Sequence, residues 1–344
     1  MSAKKSMVSG FVRINGPRAI ACAAAALVAA CGGNAANELS ARARGVEVVT
    51  ANGKSINGKS INGKSINGKS INGSMLNGKS INGTDLTDVY LMSVQWDSPQ
   101  IDGATAEGVS LNGTVFTGSL GGTNLNPADF AHAVFHGQLS DGTNLNVRFD
   151  QYALLSTAGG DLNSYAVSYE TDSGWVSLCG TEADGSPVMA IPVNGQFDYS
   201  QGTSTGGVYD SSGPVFTPTC RHYAAAKCVE MGYQPWVTSP APLEPYFQTC
   251  TRVLRADYCG DGTSFTVDGT LINIYDRLGV QTDTETWMGE AEWGPKGALC
   301  MAPQQLDRFQ NTNSTPSCYA TLMSETCGSG FSNAATLIID EYSH

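Results

Sequence analysis

The sequence predicts an α+β protein, mainly β, with about two short helices and a disulfide framework, carried behind an N-terminal stalk of five-residue repeats. Three observations predict it. Eight cysteines crowd the C-terminal half, short alternating segments are separated by Gly, Ser and Asp, and apolar residues recur every five positions from Asn52. An even cysteine number in an exported chain implies disulfides, and alternation implies half-buried strands. Neither the helical period nor the strand period gives a spacing of five.

Residues 1–30 read as an export signal. Lys4, Lys5, Arg13 and Arg18 precede a 12-residue apolar run, Ala19 to Ala30, which ends at Cys31. Such a cationic segment, short apolar run and small-residue cut site describe a secretory signal. The run is too short for a bilayer, which needs about 20 apolar residues. With Cys31 directly after the small residues, the segment resembles the lipobox of bacterial lipoproteins. The resemblance implies lipid on the Cys31 thiol and an acylated amine, an anchor of more than one chain. Gly32 after the cysteine resembles lipoproteins sorted onward to the outer membrane.

Residues 31–51 form the anchored linker, and 52–87 hold the NGKSI repeat. Seven cations, among them Lys54, Lys59 and Lys64, face only Glu38 and Glu47 between residues 31 and 83. The whole chain carries −12, so the remainder is strongly acidic. An acidic body will not follow nucleic-acid phosphates. A basic tether suits anionic headgroups, each Lys near such a surface contributing about 1 kcal/mol. It equally keeps a polar repeat soluble.

The repeat places Ile56, Ile61, Ile66, Ile71, Leu76, Ile81 and Leu86 five apart, and a degenerate form persists through the β region 88–150. It resembles the pentapeptide-repeat proteins, which implies a right-handed β-helix. The lysine two residues before most apolar centres departs from that pattern, because burying unpartnered Lys costs more than Ile returns. A loosely ordered Gly/Asn spacer is the alternative for 52–87. Over 105–147, where Leu111 and Phe116 and, after a one-residue slip, Leu125, Phe130 and Phe135 continue the period, stacking is the expectation.

Residues 151–344 form the disulfide-rich domain. Asn144 to Asp150 alternates strictly, and Tyr165–Glu170, Trp175–Cys179, Val188–Val193 and Val215–Thr219 are further strand candidates. His222–Met231 reads as a helix stopped by Gly232, and Glu244–Tyr258 as a second stopped by Gly260. Phe247, Cys250, Leu254 and Tyr258 make the apolar stripe of the second helix, with Arg252 and Arg255 outside it. Ser264–Val267 and Thr270–Tyr275 flank the hairpin signal Asp268-Gly269, and Thr286–Trp293 faces Gly297–Met301 across Gly294-Pro295.

With Cys22 discarded and Cys31 lipidated, the disulfide candidates are Cys179, Cys220, Cys228, Cys250, Cys259, Cys300, Cys318 and Cys327. They allow on the order of 100 connectivities. Cys220 and Cys228 flank one helix about 12 Å apart, too far to bridge each other. Antiparallel helices would give nested bridges Cys220–Cys259 and Cys228–Cys250, and Cys318 and Cys327 are close enough to pair locally.

The string Cys250-Thr-Arg252-Val-Leu-Arg255-Ala256-Asp257-Tyr258-Cys259-Gly260-Asp261-Gly262 resembles the motif of the ADYC-domain family of exported bacterial proteins. Supporting matches are Ala226-Lys227-Cys228, Gly232-Tyr233-Gln234-Pro235-Trp236, Glu290-Ala291-Glu292-Trp293 and Gly297-Ala298-Leu299-Cys300. The resemblance covers roughly Tyr165 to Arg308 and brings no active site with it.

Candidate chemistry is thin. Arg252, Arg255, Asp257 and Asp261 form a polar cluster, which a structural role explains more simply than catalysis. Gly202-Thr-Ser204-Thr-Gly206 matches a hydrolase nucleophile pattern, but no helix follows it. His132 and His136 are four apart but lie in a repeat-like segment without helical periodicity, and Asp283, Glu285, Glu290 and Glu292 lack calcium-loop spacing and read as a solvated hairpin face. Trp236 or Trp287 could stack on sugars if exposed. The reading is of no catalytic residue, metal or cofactor. The sequence describes an envelope lipoprotein that binds a glycan or protein, or spaces membrane from wall. Its rival is an envelope polysaccharide hydrolase with paired carboxylates.

Overall fold

Strict alternation from Asn144 sends Leu145, Val147 and Phe149 inward and leaves Asn146, Arg148 and Asp150 half-exposed. That one strand explains how the N-terminal half of the body closes. The computed structural model describes residues 89–266, 270–302, 308–328 and 330–342, with the two-residue strands Ile56–Asn57, Ser80–Ile81 and Thr84–Asp85. The export signal, Cys31, most of the NGKSI repeat and the turn Asp268-Gly269 lie outside the described residues.

In chain order the first strands are β1 (Leu91–Ile101), β2 (Glu107–Asn112), β3 (Val115–Leu120), β4 (Thr123–Leu125), β5 (Val134–Leu139) and β6 (Asn144–Thr157). They are followed by β7 (Gly160–Thr171), β8 (Gly174–Ser177), β9 (Ala190–Asn194) and β10 (Val215–Cys220). The pairings β1–β5, β5–β6, β6–β7, β7–β9, β9–β10 and β10–β1 are all antiparallel, so six strands close into a barrel. Closure removes exposed sheet edges, and β8 continues off one side of β7. β6 runs through residue 150, so the alternating region and the disulfide-rich region share one continuous strand.

Phenylalanines fill the barrel. Phe135, Phe149, Tyr165 and Phe216 come from its wall, Phe116 from β3, and Phe130 from the 3-10 turn Pro127–Phe130. That turn is closed by a capping box between Asn126 and Asp129. Phe149 stacks on Tyr165 at 4.1 Å, and Phe116 contacts five other rings at 5.2–6.1 Å. β2, β3 and β4 form an antiparallel meander. Stacked β-helical coils are therefore not what residues 105–147 adopt. The reason is geometric: residues five apart on one strand point to opposite faces, so a period of five here marks turns between strands.

The C-terminal half packs two helices, α1 (Ala224–Glu230) and α2 (Glu244–Arg255), against a second sheet. Its strands β11 (Leu271–Asp276), β12 (Met288–Gly294), β13 (Gly297–Met301) and β14 (Ile338–Tyr342) run in the order β11-β14-β12-β13, and Ile56–Asn57 pairs with the outer edge of β11. β12 and β13 form the expected hairpin. The strand at 271–276 takes β14 as its partner, and Ser264–Thr266 carry no strand. A short α3 (Tyr319–Ser324) precedes β14. Gly232, at φ 104°, follows α1 as the sequence suggests. α2 stops three residues earlier than expected, because Ala256 takes the left-handed conformation at φ 51°.

Four disulfides staple the body: Cys179–Cys220, Cys228–Cys250, Cys259–Cys318 and Cys300–Cys327. Only Cys228–Cys250 was among the pairings the helices suggested. Cys220 sits at the end of a barrel strand and bridges to the loop after β8, Cys259 takes Cys318 in its place, and Cys327 bridges to Cys300 on β13 and not to the nearby Cys318. Among the described residues no helix is long and apolar enough to cross a bilayer.

Candidate functional site

Each residue of the Ala256–Cys259 string performs a separate structural task. Ala256 turns the chain out of α2. Asp257 is fully buried and receives Arg252 Nη1, with Arg255 Nη1 at 3.6 Å. It also accepts the backbone N–H groups of Asp261 and Gly262, each at 3.1 Å. One carboxylate thus faces two buried guanidiniums and shapes the following loop. Burial pulls the Arg255 guanidinium below its usual range, and Asp257 opposes that pull. Arg252 also donates to Gly206 O and Arg255 to Gly262 O, both at 2.6 Å. Gly260 has φ 66°, and a Cβ there would lie 1.8 Å from Lys296 O. Asp261 is half-buried and closes a turn onto Thr263 N.

Tyr258 connects this loop to a second ion network. Its hydroxyl donates to Glu290 Oε1 at 2.6 Å, and its ring stacks on Trp293 at 5.2 Å. Glu290 and Asp340 share one cation, Arg308, at 2.6 and 2.7 Å. Trp293 Nε1 donates to Asp340 Oδ1 at 2.7 Å. All three side chains are buried. Burial opposes the charged form of Glu290, but Arg308 overrides it and keeps the carboxyl below its ordinary range. Burial, then the charge on Glu290, raises Asp340 well above its own. Glu290 and Glu292 do not form a solvated face. Both are buried: Glu290 sits at an irregularity of β12 between Gly289 and Ala291, and Glu292 accepts Gly328 N and Thr336 Oγ1.

The polar concavity lies elsewhere, on the barrel wall. A cleft of about 410 Å³ is lined by His136, Asn144, Leu145, Asn146, Glu170, Thr171 and Asp172. A second, of about 240 Å³, adjoins it and shares His136 and Asn144 while adding Gln95 and Gln138. The barrel register explains the grouping. Gln95 faces His136, His136 faces Asn146, and Glu170 faces Trp175. Asn146 Nδ2 donates to Glu170 Oε2 at 2.8 Å and joins the two halves of the row. Five outward side chains on five adjacent strands therefore form one strip. At about 4.8 Å per strand, it extends over about 19 Å. Beside it Arg148 pairs with Asp150 and lies 4.3 Å over the Trp175 ring.

The family model of the ADYC domain matches residues 127–307, more than half of the chain. The chain belongs to the ADYC-domain family. No curated protein and no solved structure matches it. The residues that give the ADYC domain its motif are thus ones this fold places in its core, whereas the groove row draws on Gln95, before the match, as well as on β5 to β8 within it.

The remaining sequence candidates scatter over the ADYC fold. His132 is in a turn at φ 72°, away from the strand position of His136 in the row. Ser204 lies in an exposed loop whose Gly206 packs against Asp261 O, and His222 Nε2 instead meets Glu182 at 2.9 Å. Asp283 is exposed, and Glu285 half-buried. Among the described residues the one convergence of metal-ligating types is Glu292 with Cys300 and Cys327, two of which are joined by a disulfide. Trp236 packs against the C-terminal core and over Gly113. Trp287 is half-buried. Sequence reasoning missed the groove, although the outward Asn144 and Asn146 of the alternating strand were its visible part.

Proposed function

We propose that this protein is an envelope lipoprotein, anchored by acyl chains on Cys31 and facing its surroundings with a non-catalytic binding module. The observation that carries the reading is the division of polar groups. Asp257, Glu290 and Asp340 are buried against arginines, so the family motif is committed to the scaffold. The groove on the barrel wall is left as a surface for a partner, either a glycan or a protein. The −12 charge disfavours nucleic acid. A basic linker ahead of an acidic body suits a protein held near anionic headgroups and extended away from them. The outer membrane is the destination that Gly32 suggests.

Metabolic labelling with radioactive palmitate tests the anchor. The wild-type chain should take up label and Cys31→Ser should take up none, with the unlabelled protein leaving the membrane fraction. Label retained in Cys31→Ser would overturn the assignment.

A second reading has its own observation. Glu170 and Asp172 line the same cleft, and two carboxylates flanking one groove are what a glycosidase requires. Incubation with purified envelope polysaccharide, followed by mass spectrometry of the soluble products, separates the two. Shortened chains that disappear in Glu170→Gln would favour the hydrolase.

A further inference from the structure

The groove's chemistry specifies a ligand class more narrowly than the binding reading on which it rests. Its lining is amide, imidazole, hydroxyl and carboxylate, with Leu145 the apolar member of the larger cleft. A planar hydrophobic ligand would need apolar walls. Amide side chains both donate and accept, as sugar hydroxyls do, and Gln95, Gln138, Asn144 and Asn146 place four of them in the two adjoining clefts. The strip's length of about 19 Å suits a chain of several units better than one small molecule.

Charge narrows the class further. The carboxyl side chains lining the larger cleft are Glu170 and Asp172, and the nearby Arg148 guanidinium is engaged by Asp150 and by the Trp175 ring. A carboxylate accepts only, so its complement is a donor, and the strongest donor is a cation. An acidic groove on an acidic chain repels phosphorylated, sulfated or uronate polymers.

We propose that the barrel-wall groove binds a hydroxyl-rich glycan bearing free amino groups, with Glu170 receiving an ammonium and the neighbouring amides receiving hydroxyls. Asn146 acts here as a positioning residue, because its donated hydrogen bond fixes the Glu170 carboxylate in the row. Glu170 is exposed on the strand end, so replacing it removes charge without disturbing the core.

The test uses the full chain in detergent, titrated calorimetrically with a glucosamine tetramer, its fully N-acetylated counterpart and a sulfated glycan. The glucosamine tetramer should bind about tenfold more tightly than the acetylated one, the effect of losing one charge-assisted hydrogen bond. Its affinity should fall with added salt. Glu170→Gln should weaken it about tenfold and Asn146→Ala by a smaller factor, with unchanged melting temperatures. If Asn146→Ala does unfold, Glu170→Gln alone decides. Equal affinity for both tetramers, unchanged affinity in Glu170→Gln, preference for the sulfated glycan, or no binding would each overturn the proposal. Shortened products in the same sample would overturn the non-catalytic reading and leave the glycan site standing. An unlabelled Cys31 would remove the anchor without touching the groove.

Discussion

Replacing Asp257 by Asn isolates what the family motif does. The amide keeps the size of the carboxylate but only one acceptor oxygen, so of the N–H groups of Asp261 and Gly262, which meet different oxygens, one retains its partner. The charge is lost, and two guanidiniums, Arg252 and Arg255, stay 1% and 2% exposed without the carboxylate that both face. Removing one partner of a buried ion pair costs about 3–5 kcal/mol. For a body of this size each kcal/mol shifts the melting temperature by about 2–4 °C, so a fall of about 10 °C is expected. Asp150→Asn serves as the comparison. Its pair with Arg148 is about a quarter to a third exposed on both sides, and such pairs contribute at most about 1 kcal/mol. The assay is thermal unfolding of both variants under oxidising conditions, followed by near-ultraviolet circular dichroism. The reasoning is refuted if Asp257→Asn melts within about 2 °C of the wild type, or if Asp150→Asn falls as far.

Two further outcomes follow from the same core. Removing Cys259–Cys318 by paired serine substitution should destabilise the chain by about 4 kcal/mol, and removing Cys228–Cys250 by about 3 kcal/mol, since the first closes 59 residues and the second 22. Chemical denaturation without reductant measures both, and a reversed order would contradict the loop argument. Stability should also decline as pH rises. Folded Asp340 holds its proton well above its ordinary 3.8, through burial and then Glu290, so its stabilising share is complete below that value and is lost as pH climbs through the raised one. Glu290 contributes in the opposite sense, its share present above 4.5 and lost in acid. Glu290→Gln removes the neighbouring charge and should flatten the decline, as read from guanidinium midpoints between pH 5 and 9. An equal slope in both proteins would contradict the coupling.

Local pattern carried much of this fold. The strand from Asn144, the helix stopped by Gly232 and the hairpin across Gly294-Pro295 each rest on residues close together in the chain, where alternation, glycine and proline act directly. Long-range partnerships were not legible. Arg308 meets Glu290 and Asp340 from 18 and 32 residues away, and nothing in a local window tells which cation will face which acid. The same holds for Cys179 and Cys220, whose pairing depends on barrel closure. Ala256 misled the helix boundary because a left-handed cap is ordinarily glycine, and here the buried pull of Asp257 on Arg252 and Arg255 holds an alanine there instead. The groove row was hidden for a related reason. Gln95, His136, Asn146, Glu170 and Trp175 are neighbours only once five strands have taken their register.

The domain boundary drawn by the family match stops short of two strands this fold cannot spare. β1 closes the ring between β5 and β10, and β14 is the centre of the second sheet, yet both fall outside residues 127–307. An expression fragment trimmed to the matched segment would open the barrel and remove both Arg308 and Asp340, leaving Glu290 without its cation and exposing two raw hydrogen-bonding margins to solvent. Material made that way should clump, and its failure to bind anything would say nothing about the native molecule.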